Sequence, residues 1–358
     1  MGQSVSITVC VRDGEHWIDD CMHSLISQDY GDFEIVAVDD GSSDLSLERL
    51  KKFEDLSGEK HGVKIKILSQ PPLGLSAGRQ LAVENSDGDW IAITDIDVRP
   101  QIDWITNLIK CSEDNEQENV GAVTGRTIFE TTPDVVSKLR SIEIQQKYRN
   151  RPLKTNLANG PCSMFLRKAL EKAGGFNPSW YHAEDMELSL NIISQGFSII
   201  YNPEAVVRHV PEEGLATFLR KRKRDSRAHT RIVRNWPKSK RKGTSFDFIG
   251  VSGAVLMIIP TLLLYLIGIL VLAFLDFQLD IDSSLLVLSP AIALNFGYVY
   301  LTSFRKLVRM LTKDAGLMNY PKIKFVLFSW SLALWIGLVL GFTDLVTGRK
   351  GHKLLFSK

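Results

Sequence analysis

The sequence predicts an α/β domain built on a mostly parallel sheet with helices on both faces, followed by a C-terminal α-helical transmembrane region. Two observations predict this fold class. In the first half of the 358 residues, short runs rich in β-branched residues alternate with longer amphipathic stretches, a pattern typical of parallel sheets covered by helices. From Phe248 onward, long apolar runs replace this alternation.

The alternating elements follow one another in a regular order. Strands are predicted by β-branched and aromatic residues, and the helices between them by apolar residues at helical spacing. The predicted strands are Val5–Val11, Phe33–Val38, Val63–Leu68 and Trp90–Thr94, and the predicted helices are His16–Gln28, Ser46–Leu56 and Leu75–Glu84. In sheets of this kind a ligand binds outside the carboxyl ends of the strands, so the residues that follow each strand are the candidates for function.

Three apolar runs in the C-terminal part predict transmembrane helices over 248–275, 285–304 and 325–342. The first run has 28 residues, which as a helix is about 42 Å long and sufficient for one tilted span. We therefore divide the chain into a cytosolic domain at 1–217, a basic juxtamembrane, interfacial helical segment at 218–247 and a transmembrane region at 248–358.

The distribution of charge predicts the orientation in the membrane. Arg220–Lys242 contains twelve Lys or Arg and one acidic residue, Asp225, so this segment carries +11 in a chain whose net charge is +2. Such a block beside apolar helices favours a cytosolic position and anionic lipid as a partner, and speaks against nucleic acid. Three spans would place the basic tail Arg349–Lys358 outside, so either the third segment does not fully cross or the positive-inside rule bends for a short tail.

Cysteine usage and the start of the chain indicate the compartment. The four cysteines are scattered and lack the spacing of zinc ligands, which fits free thiols in a reducing compartment. No secretory signal opens the sequence. We therefore expect an integral protein of the plasma or inner membrane whose N-terminal domain lies in the cytosol.

Two of the strand ends carry pairs of carboxylates. Asp39 and Asp40 follow the second strand, where a carboxylate can accept hydrogen bonds from a base or a ribose, although an ordinary Asp-Gly turn explains the same residues. Asp95 and Asp97 follow the fourth strand. Two carboxylates at this spacing can share a hard divalent ion with a diphosphate, and a solvated acidic turn is the alternative.

A third acidic pair, Glu184 and Asp185, stands at the start of a predicted helix. One interpretation is N-terminal capping, because carboxylates stabilise helix N-termini. The functional interpretation is a general base that takes the proton from an acceptor hydroxyl. Taken alone, these two residues favour the capping interpretation.

Taken in order, the motifs resemble those of family 2 glycosyltransferases over roughly Val5 to Val210. The resemblance rests on Val9–Glu15, Val38–Asp44, Gly74–Arg79, Asp95–Asp97, Gly174–Phe176 and Glu184–Asp185. It implies a GT-A fold with a Rossmann-like sheet, a nucleotide-sugar donor linked to UDP or GDP, and a divalent cation, Mg²⁺ or Mn²⁺, as cofactor.

The resemblance also implies a role for each matching residue on the donor side. Asp40, with Asp39 beside it, is similar to the carboxylate that reads the nucleotide base. Asp97 resembles the metal-binding end of the family's Asp-x-Asp motif, and Asp95 is expected nearer to the ribose, the sugar and the metal. The remaining donor-side residues are Arg12, Arg79 beside Gln80 (which departs from the family's pattern) and His209, a metal or diphosphate ligand or else an ordinary buried or surface His.

On the acceptor side, Asp185 resembles the catalytic base and Glu184 its neighbour. The implied reaction is an inverting, metal-dependent single displacement that moves a sugar to a membrane lipid-linked acceptor: polyprenyl or dolichyl phosphate, or a lipid-linked saccharide. Two other classes remain open. A processive polysaccharide synthase usually carries Gln-x-x-Arg-Trp, to which Arg231–Trp236 is only an approximate match, and a non-catalytic membrane scaffold would merely have kept the fold.

Two further groups of residues are candidates for acceptor contacts. Arginine suits phosphate because its planar fork donates two hydrogen bonds at once, so some arginines of the basic segment are hypothesised to contact a lipid phosphate, with topology anchoring as the alternative. These are Arg220, Arg222, Arg224, Arg227, Arg231 and Arg234. Trp180 and Tyr181 are candidates for stacking on a sugar, with core packing as the alternative.

Overall fold

The computed structural model describes residues 3–55, 62–149, 151–180, 182–237, 250–279, 309, 312–313 and 320–347. Within these ranges the chain forms an α/β domain around one large sheet, followed by C-terminal helices. The predicted fold class is confirmed. The second predicted transmembrane helix, 285–304, lies outside the described residues, as do the C-terminal part of the basic segment and the basic tail.

The sheet is built from nine strands within the described residues. They are β1 (Val5–Val11), β2 (Phe33–Asp39), β3 (Lys64–Ser69), β4 (Trp90–Asp95), β5 (Val98–Pro100), β6 (Val120–Phe129), β7 (Lys154–Thr155), β8 (Ser163–Leu166) and β9 (Ser198–His209). Their spatial order is β3-β2-β1-β4-β8-β6-β9-β5, with β7 paired to β9. The strands β1, β2, β3 and β4 are parallel to one another, and so are β6 and β9. By contrast, β5, β7 and β8 are antiparallel to their neighbours.

The helices connect the strands and continue beyond them. They are α1 (Ile18–Ile26), α2 (Ser46–Asp55), α3 (Leu75–Glu84), α4 (Trp104–Asp114), α5 (Val135–Arg149), α6 (Arg167–Ala173), α7 (Glu184–Ser194), α8 (Leu215–Asn235), α9 (Gly250–Leu256), α10 (Ile258–Leu279) and α11 (Tyr320–Val346), with a short 3₁₀ helix at Glu116–Glu118. The predicted elements of the first half agree with these bounds to within about two residues, the usual uncertainty of element ends.

The parallel part of the sheet is covered on both faces, which explains why its strands read as nearly continuous apolar runs. Every residue of β1 is buried. On one face Ile7 and Val9 share a core with Ile18 and Met22 of α1. On the other face Cys10 packs with side chains of β2 and α3. Because both faces are closed, the ends of the strands are the part of the sheet left open for a ligand.

The C-terminal helices form a second apolar cluster beside the sheet. α11 packs along α8, and Trp330 meets Phe218 edge-on with ring centroids 5.1 Å apart. Side chains of α5 and α9 complete this cluster. By length and composition two described segments, Gly253–Val271 and Pro321–Val346, are able to cross a membrane. They correspond to the first and third predicted spans.

A close contact in the sheet yields a test of the packing. Gly125 lies in β6, where its register with β9 shifts, and a Cβ atom there would be 2.2 Å from the carbonyl oxygen of Ala205 and 2.5 Å from Sγ of Cys162. We expect Gly125→Ala to lower the free energy of unfolding by about 1–3 kcal/mol, because a packed core cannot open freely. The measurement is the Tm of the detergent-purified protein. Gly31→Ala is the control, since no heavy atom lies within 4 Å of its Cβ, and equal Tm values for the two variants would contradict this packing.

Candidate active site

The carboxyl ends of β1, β2 and β4 bring several predicted residues to one edge of the sheet. Val11 is paired with Asp39, and Cys10 with Asp95. Arg12 follows β1 directly, and its Nε lies 4.0 Å from the carboxylate of Asp13. The parallel register therefore places the residues expected on the donor side along one line, as the strand-end argument predicted.

Asp40 is almost fully buried and holds the loop before α3. Its carboxylate accepts hydrogen bonds from Nε2 of Gln70 at 2.7 Å and from the backbone N–H groups of Leu73 and Gly74, the shortest to each being 2.9 Å. Gly41 lets this loop approach: its φ is +66°, and a Cβ there would be 2.7 Å from Pro72. The sequence did not predict this positioning role. The predicted contact of Asp40 and Asp39 with a base remains a prediction.

Arg79 bridges two carboxylates below the strand ends. Its side chain is 3% exposed, with Nη2 at 2.6 Å from Asp95 and Nη1 at 2.5 Å from Glu184. Burial by itself lowers the pKa of the guanidinium, but the two carboxylates outweigh burial and raise the pKa above its usual value. Arg79 therefore stays charged and ties β4 to the start of α7. The sequence predicted a nucleotide contact for Arg79 and missed this bridge.

Asp185 lies next to this ion pair and is partly exposed. Its Oδ2 accepts a hydrogen bond from the backbone N–H of Gly160 at 2.9 Å. Burial, and then the neighbouring charge of Glu184, raise the pKa of Asp185, while Arg79 opposes the shift. No side chain caps the N-terminus of α7 at Ala183. Oδ1 of Asp185 also accepts a hydrogen bond from the backbone N–H of Met186, in the first turn of α7, at 2.8 Å. Asp185 thus stabilises the start of α7, as the capping interpretation expects, while Glu184 is held in the ion pair. The predicted role of Asp185 as a base remains a prediction.

Asp97, in the turn between β4 and β5, and His209, at the end of β9, form a second polar group. Nε2 of His209 lies 3.4 Å from Oδ2 of Asp97, and Nδ1 lies 2.8 Å from the carbonyl oxygen of Val210. A carbonyl only accepts, so Nδ1 donates this hydrogen bond, and Nε2 is the ring nitrogen that faces Asp97. The ring is also stacked on Phe129, with centroids 4.1 Å apart. An imidazole nitrogen and a carboxylate oxygen are both ligand types that divalent cations accept.

No group of three or more His, Cys, Asp or Glu side chains that could hold a metal ion occurs among the described residues. Asp95, predicted as a further ligand, has Oδ1 engaged by Arg79. The residues that fit a cation on the protein side are therefore Asp97 and His209, and a diphosphate would have to complete its oxygen ligands.

The arginines of α8 divide into two groups. Arg222 is buried and paired with Asp225 at 3.1 Å and with Glu143 at 3.4 Å, and Arg227 donates two hydrogen bonds to Asp344. These two arginines hold acids within the protein, and a contact of either with a lipid phosphate stays a prediction. The other candidates for a lipid-phosphate contact are Arg220, Arg224, Arg231 and Arg234. Arg220 and Arg234 are exposed, and the guanidinium of Arg231 lies 5.2 Å from the ring centroid of Trp180.

Trp180 is mainly a packing residue. It is 7% exposed and belongs to an apolar cluster with Met186 of α7 and Ile232 of α8. One edge lines a cavity of about 240 Å³ between the 177–180 loop, α8 and α11, which Arg231 and Arg234 also line. Tyr181, the second predicted sugar contact, lies outside the described residues.

His182 connects the acidic pair to α8. Its Nε2 lies 2.7 Å from Oδ1 of Asp225. Sequence reasoning missed this contact, although one signal was present: Asp225 is the single acid within a run of twelve basic residues. Arg222 and His182 lower the pKa of Asp225 against the effect of its burial, so Asp225 is a permanent anion between the loop and the helix.

Comparison with known proteins identifies the class of enzyme. Residues 4–174 match Glycosyl transferase family 2, and residues 90–343, more than half of the chain, match Glycosyl transferase family group 2. Both matched families are families of glycosyl transferases. More narrowly, the chain belongs to glycosyl transferase family group 2.

Several bacterial relatives carry corresponding names. An N-acetylglucosaminyltransferase of Neorhizobium galegae is 27% identical over 242 residues, covering 63% of this chain and 54% of that protein. An N-acetylglucosaminyltransferase of Azorhizobium caulinodans is 26% identical over 263 residues, covering 68% of this chain and 65% of that protein. Glycosyltransferase GlyA of Streptococcus pneumoniae is 32% identical over 106 residues, covering 30% and 14%. The chain spans less than two thirds of the length of each of these relatives.

A solved structure supports the fold along nearly the whole chain. The mannosyltransferase PcManGT from Pyrobaculum calidifontis, in complex with GDP-Man and Mn²⁺, has a TM-score of 0.56 at 19% identity and covers 95% of this chain and 88% of its own. This likeness confirms the predicted GT-A, Rossmann-like sheet.

The bridge of Arg79 can be tested through stability. Arg79→Met leaves Asp95 and the buried Glu184 without their cation, a change that typically costs about 3–5 kcal/mol. We expect a clear fall in Tm and loss of nucleotide-sugar binding by calorimetry. Arg49→Met is the control, because its pair with Asp19 lies at the surface and is worth about 0–1 kcal/mol. A Tm for Arg79→Met as high as that of the control variant would refute the bridge.

Proposed function

We propose that the protein is an inverting glycosyltransferase that moves a sugar from a UDP- or GDP-linked donor to a membrane lipid-linked acceptor. The observation that carries the proposal is Asp185, a partly exposed carboxylate of raised pKa beside the bridge that ties it to the donor-side strand ends. A carboxylate whose pKa lies above the usual range is suited to accept a proton from a hydroxyl as the hydroxyl oxygen attacks.

A divalent cation, Mg²⁺ or Mn²⁺, would be held by Asp97 and His209. When bound, the cation neutralises negative charge on the departing diphosphate. The proximity of Nε2 of His209 and Oδ2 of Asp97, 3.4 Å apart, supports the assignment, as does the Mn²⁺ in the PcManGT complex. The protein itself contributes the fixed orientation of His209, set by its bond to Val210 and its stacking on Phe129.

The need for a base bears on the acceptor. A phosphate monoester is already ionised near neutral pH, with a second pKa of about 6, whereas a saccharide hydroxyl must lose its proton to become a nucleophile. Asp185 therefore favours the hydroxyl of a lipid-linked saccharide over polyprenyl or dolichyl phosphate. The position of the acceptor is supported by the cavity beside Trp180, which lies against α8 and α11 and is lined by Arg231 and Arg234.

The direct test is a transfer assay on detergent-purified protein with nucleotide-linked N-acetylglucosamine and mannose as first donors, each with polyprenyl phosphate or a lipid-linked saccharide. We expect transfer to the saccharide, abolished by a chelator. Asp185→Ala should lower kcat by about 10²–10⁴-fold, the usual contribution of a general base, with donor binding retained, and Asp97→Ala should weaken donor binding.

Asp114→Ala, at an exposed position of α4, controls for loss of an acid as such. Transfer that survives both Asp185→Ala and Asp97→Ala would refute the roles assigned to these two residues. Transfer to polyprenyl phosphate alone would keep the enzyme class and refute the hydroxyl acceptor.

The pH dependence gives an independent test of the base. Asp185 must be ionised to act, so kcat/KM should fall as the pH drops through its raised pKa. Glu184 contributes to that raised pKa, so Glu184→Gln should move the acid limb of the profile to lower pH. Glu187→Gln, one turn further along α7, is the control and should leave the limb in place. An unchanged limb in Glu184→Gln would exclude Asp185 as the titrating base.

A further inference from the structure

α11 exposes one continuous apolar stripe. Seven large apolar side chains on it are between 43 and 73% exposed. They recur every three or four residues and therefore share one face of the helix: Phe325, Phe328, Leu332, Ile336, Val339, Phe342 and Val346. At 1.5 Å per residue the stripe is about 31 Å long.

The opposite face of α11 is packed on protein. A Cβ atom on Gly337 would lie 2.3 Å from the carbonyl oxygen of Lys223, and one on Gly341 would lie 2.7 Å from Thr230. The hydroxyl of Ser226 donates to the carbonyl oxygen of Leu334 at 2.7 Å. Small residues four positions apart bring two helix backbones into direct contact, so α8 and α11 form a tightly joined pair.

The helix that α11 packs on is strongly charged. α8 contains eight Lys or Arg among its 21 residues, and its Arg227 donates to both oxygens of Asp344 of α11, at 2.6 and 2.7 Å. One charged side chain at the centre of a bilayer costs about 2.5–3.5 kcal/mol on insertion scales. A membrane crossing by α11 would draw its joined partner into the hydrocarbon, which the charges of α8 oppose.

α10 has a different surface. Its exposed apolar side chains occur at neighbouring positions, such as Leu263 with Leu264 and Leu270 with Val271, and so cover a wider arc than one stripe. Within the apolar windows of the two segments, 12% of residues are buried for Gly253–Val271 and 44% for Pro321–Val346. A helix with exposed apolar side chains over a wide arc fits lipid on several sides, whereas one exposed stripe fits lipid on one side.

We infer that α11 does not cross the membrane but lies along its surface, with the stripe inserted into the bilayer and the opposite face carrying α8. Two observations favour the bilayer as the partner of the stripe. α11 packs against α10, the helix with the wider exposed apolar surface. In addition, Lys322 and Lys324 at the start of α11 are exposed and suit anionic headgroups. The arrangement also keeps the residues after Val346 on the side of the catalytic domain, where basic residues belong. It does not rest on the proposed reaction.

Membrane depth distinguishes the two geometries. Single cysteines at Phe325, Leu332, Val339 and Val346 are labelled with a nitroxide in nanodiscs containing anionic lipid, and depth is measured from relaxation by oxygen and by a water-soluble nickel complex. The four native cysteines are buried, and the unsubstituted protein reports any labelling of them. An in-plane helix gives the same shallow depth at all four positions. A spanning helix changes depth by about 10 Å between successive positions, which are seven residues apart.

Leu263→Cys and Leu270→Cys on α10 are the matched control, and their depths should differ. A depth profile on α11 like that of α10 would overturn the inference. Shielding of the stripe labels from oxygen would also overturn the inference, because it would mean that a protein segment or a second copy covers the stripe. Labels open to the nickel complex would mean that the stripe faces water, which also overturns it.

The side on which α11 ends gives a second readout that needs no activity. A membrane-impermeant maleimide should label Thr347→Cys, just after α11, from the same side of sealed vesicles as Lys51→Cys on the exposed surface of α2. Labelling of the two positions from opposite sides would show that α11 crosses the bilayer.

Discussion

One buried guanidinium holds the active site together. Arg79 of α3 joins Asp95, at the end of β4, to Glu184, at the start of α7, and these elements are far apart in the chain. A carboxylate as buried as Glu184 is tolerated only with a partner, because desolvation penalises its charge. Gly160 leaves the room that the guanidinium needs, since a Cβ there would lie 2.9 Å from Nη2. The donor-side and acceptor-side halves of the site are thus positioned by one ion pair.

The same pair governs the neighbouring acid. Glu184 is paired with Arg79 in the bridge. Burial of Asp185 and the neighbouring Glu184 raise the pKa of Asp185, while Arg79 opposes the shift. Asp97 lies apart from this group and faces a histidine nitrogen, whereas Asp95 of the same motif belongs to the bridge.

Local patterns predicted the parallel strands and the meeting of Asp39 and Asp95 at one sheet edge, because register in a buried sheet follows from the alternation of strands and helices. Contacts made across long sequence separations could not be predicted in this way. The basic composition of α8 predicted arginines at the lipid interface. Arg222 and Arg227 instead form ion pairs with acids on α5, α8 and α11. Likewise, nothing near Asp40 in the sequence indicated that its oxygens bind the loop before α3.

α8 stands between the active site and the C-terminal helices. Asp225 contacts His182, three residues before the candidate base, and Arg227, two positions later on the same helix, contacts Asp344 of α11. The two contacts use different sides of α8, and each joins a full charge to a group that is partly or wholly shielded from water. Because α8 is also packed backbone to backbone on Gly337 and Gly341, it cannot slide along α11 without breaking these contacts. α8 therefore fixes the position of the loop before α7 relative to α11. This gives the basic segment a structural role beyond its charge.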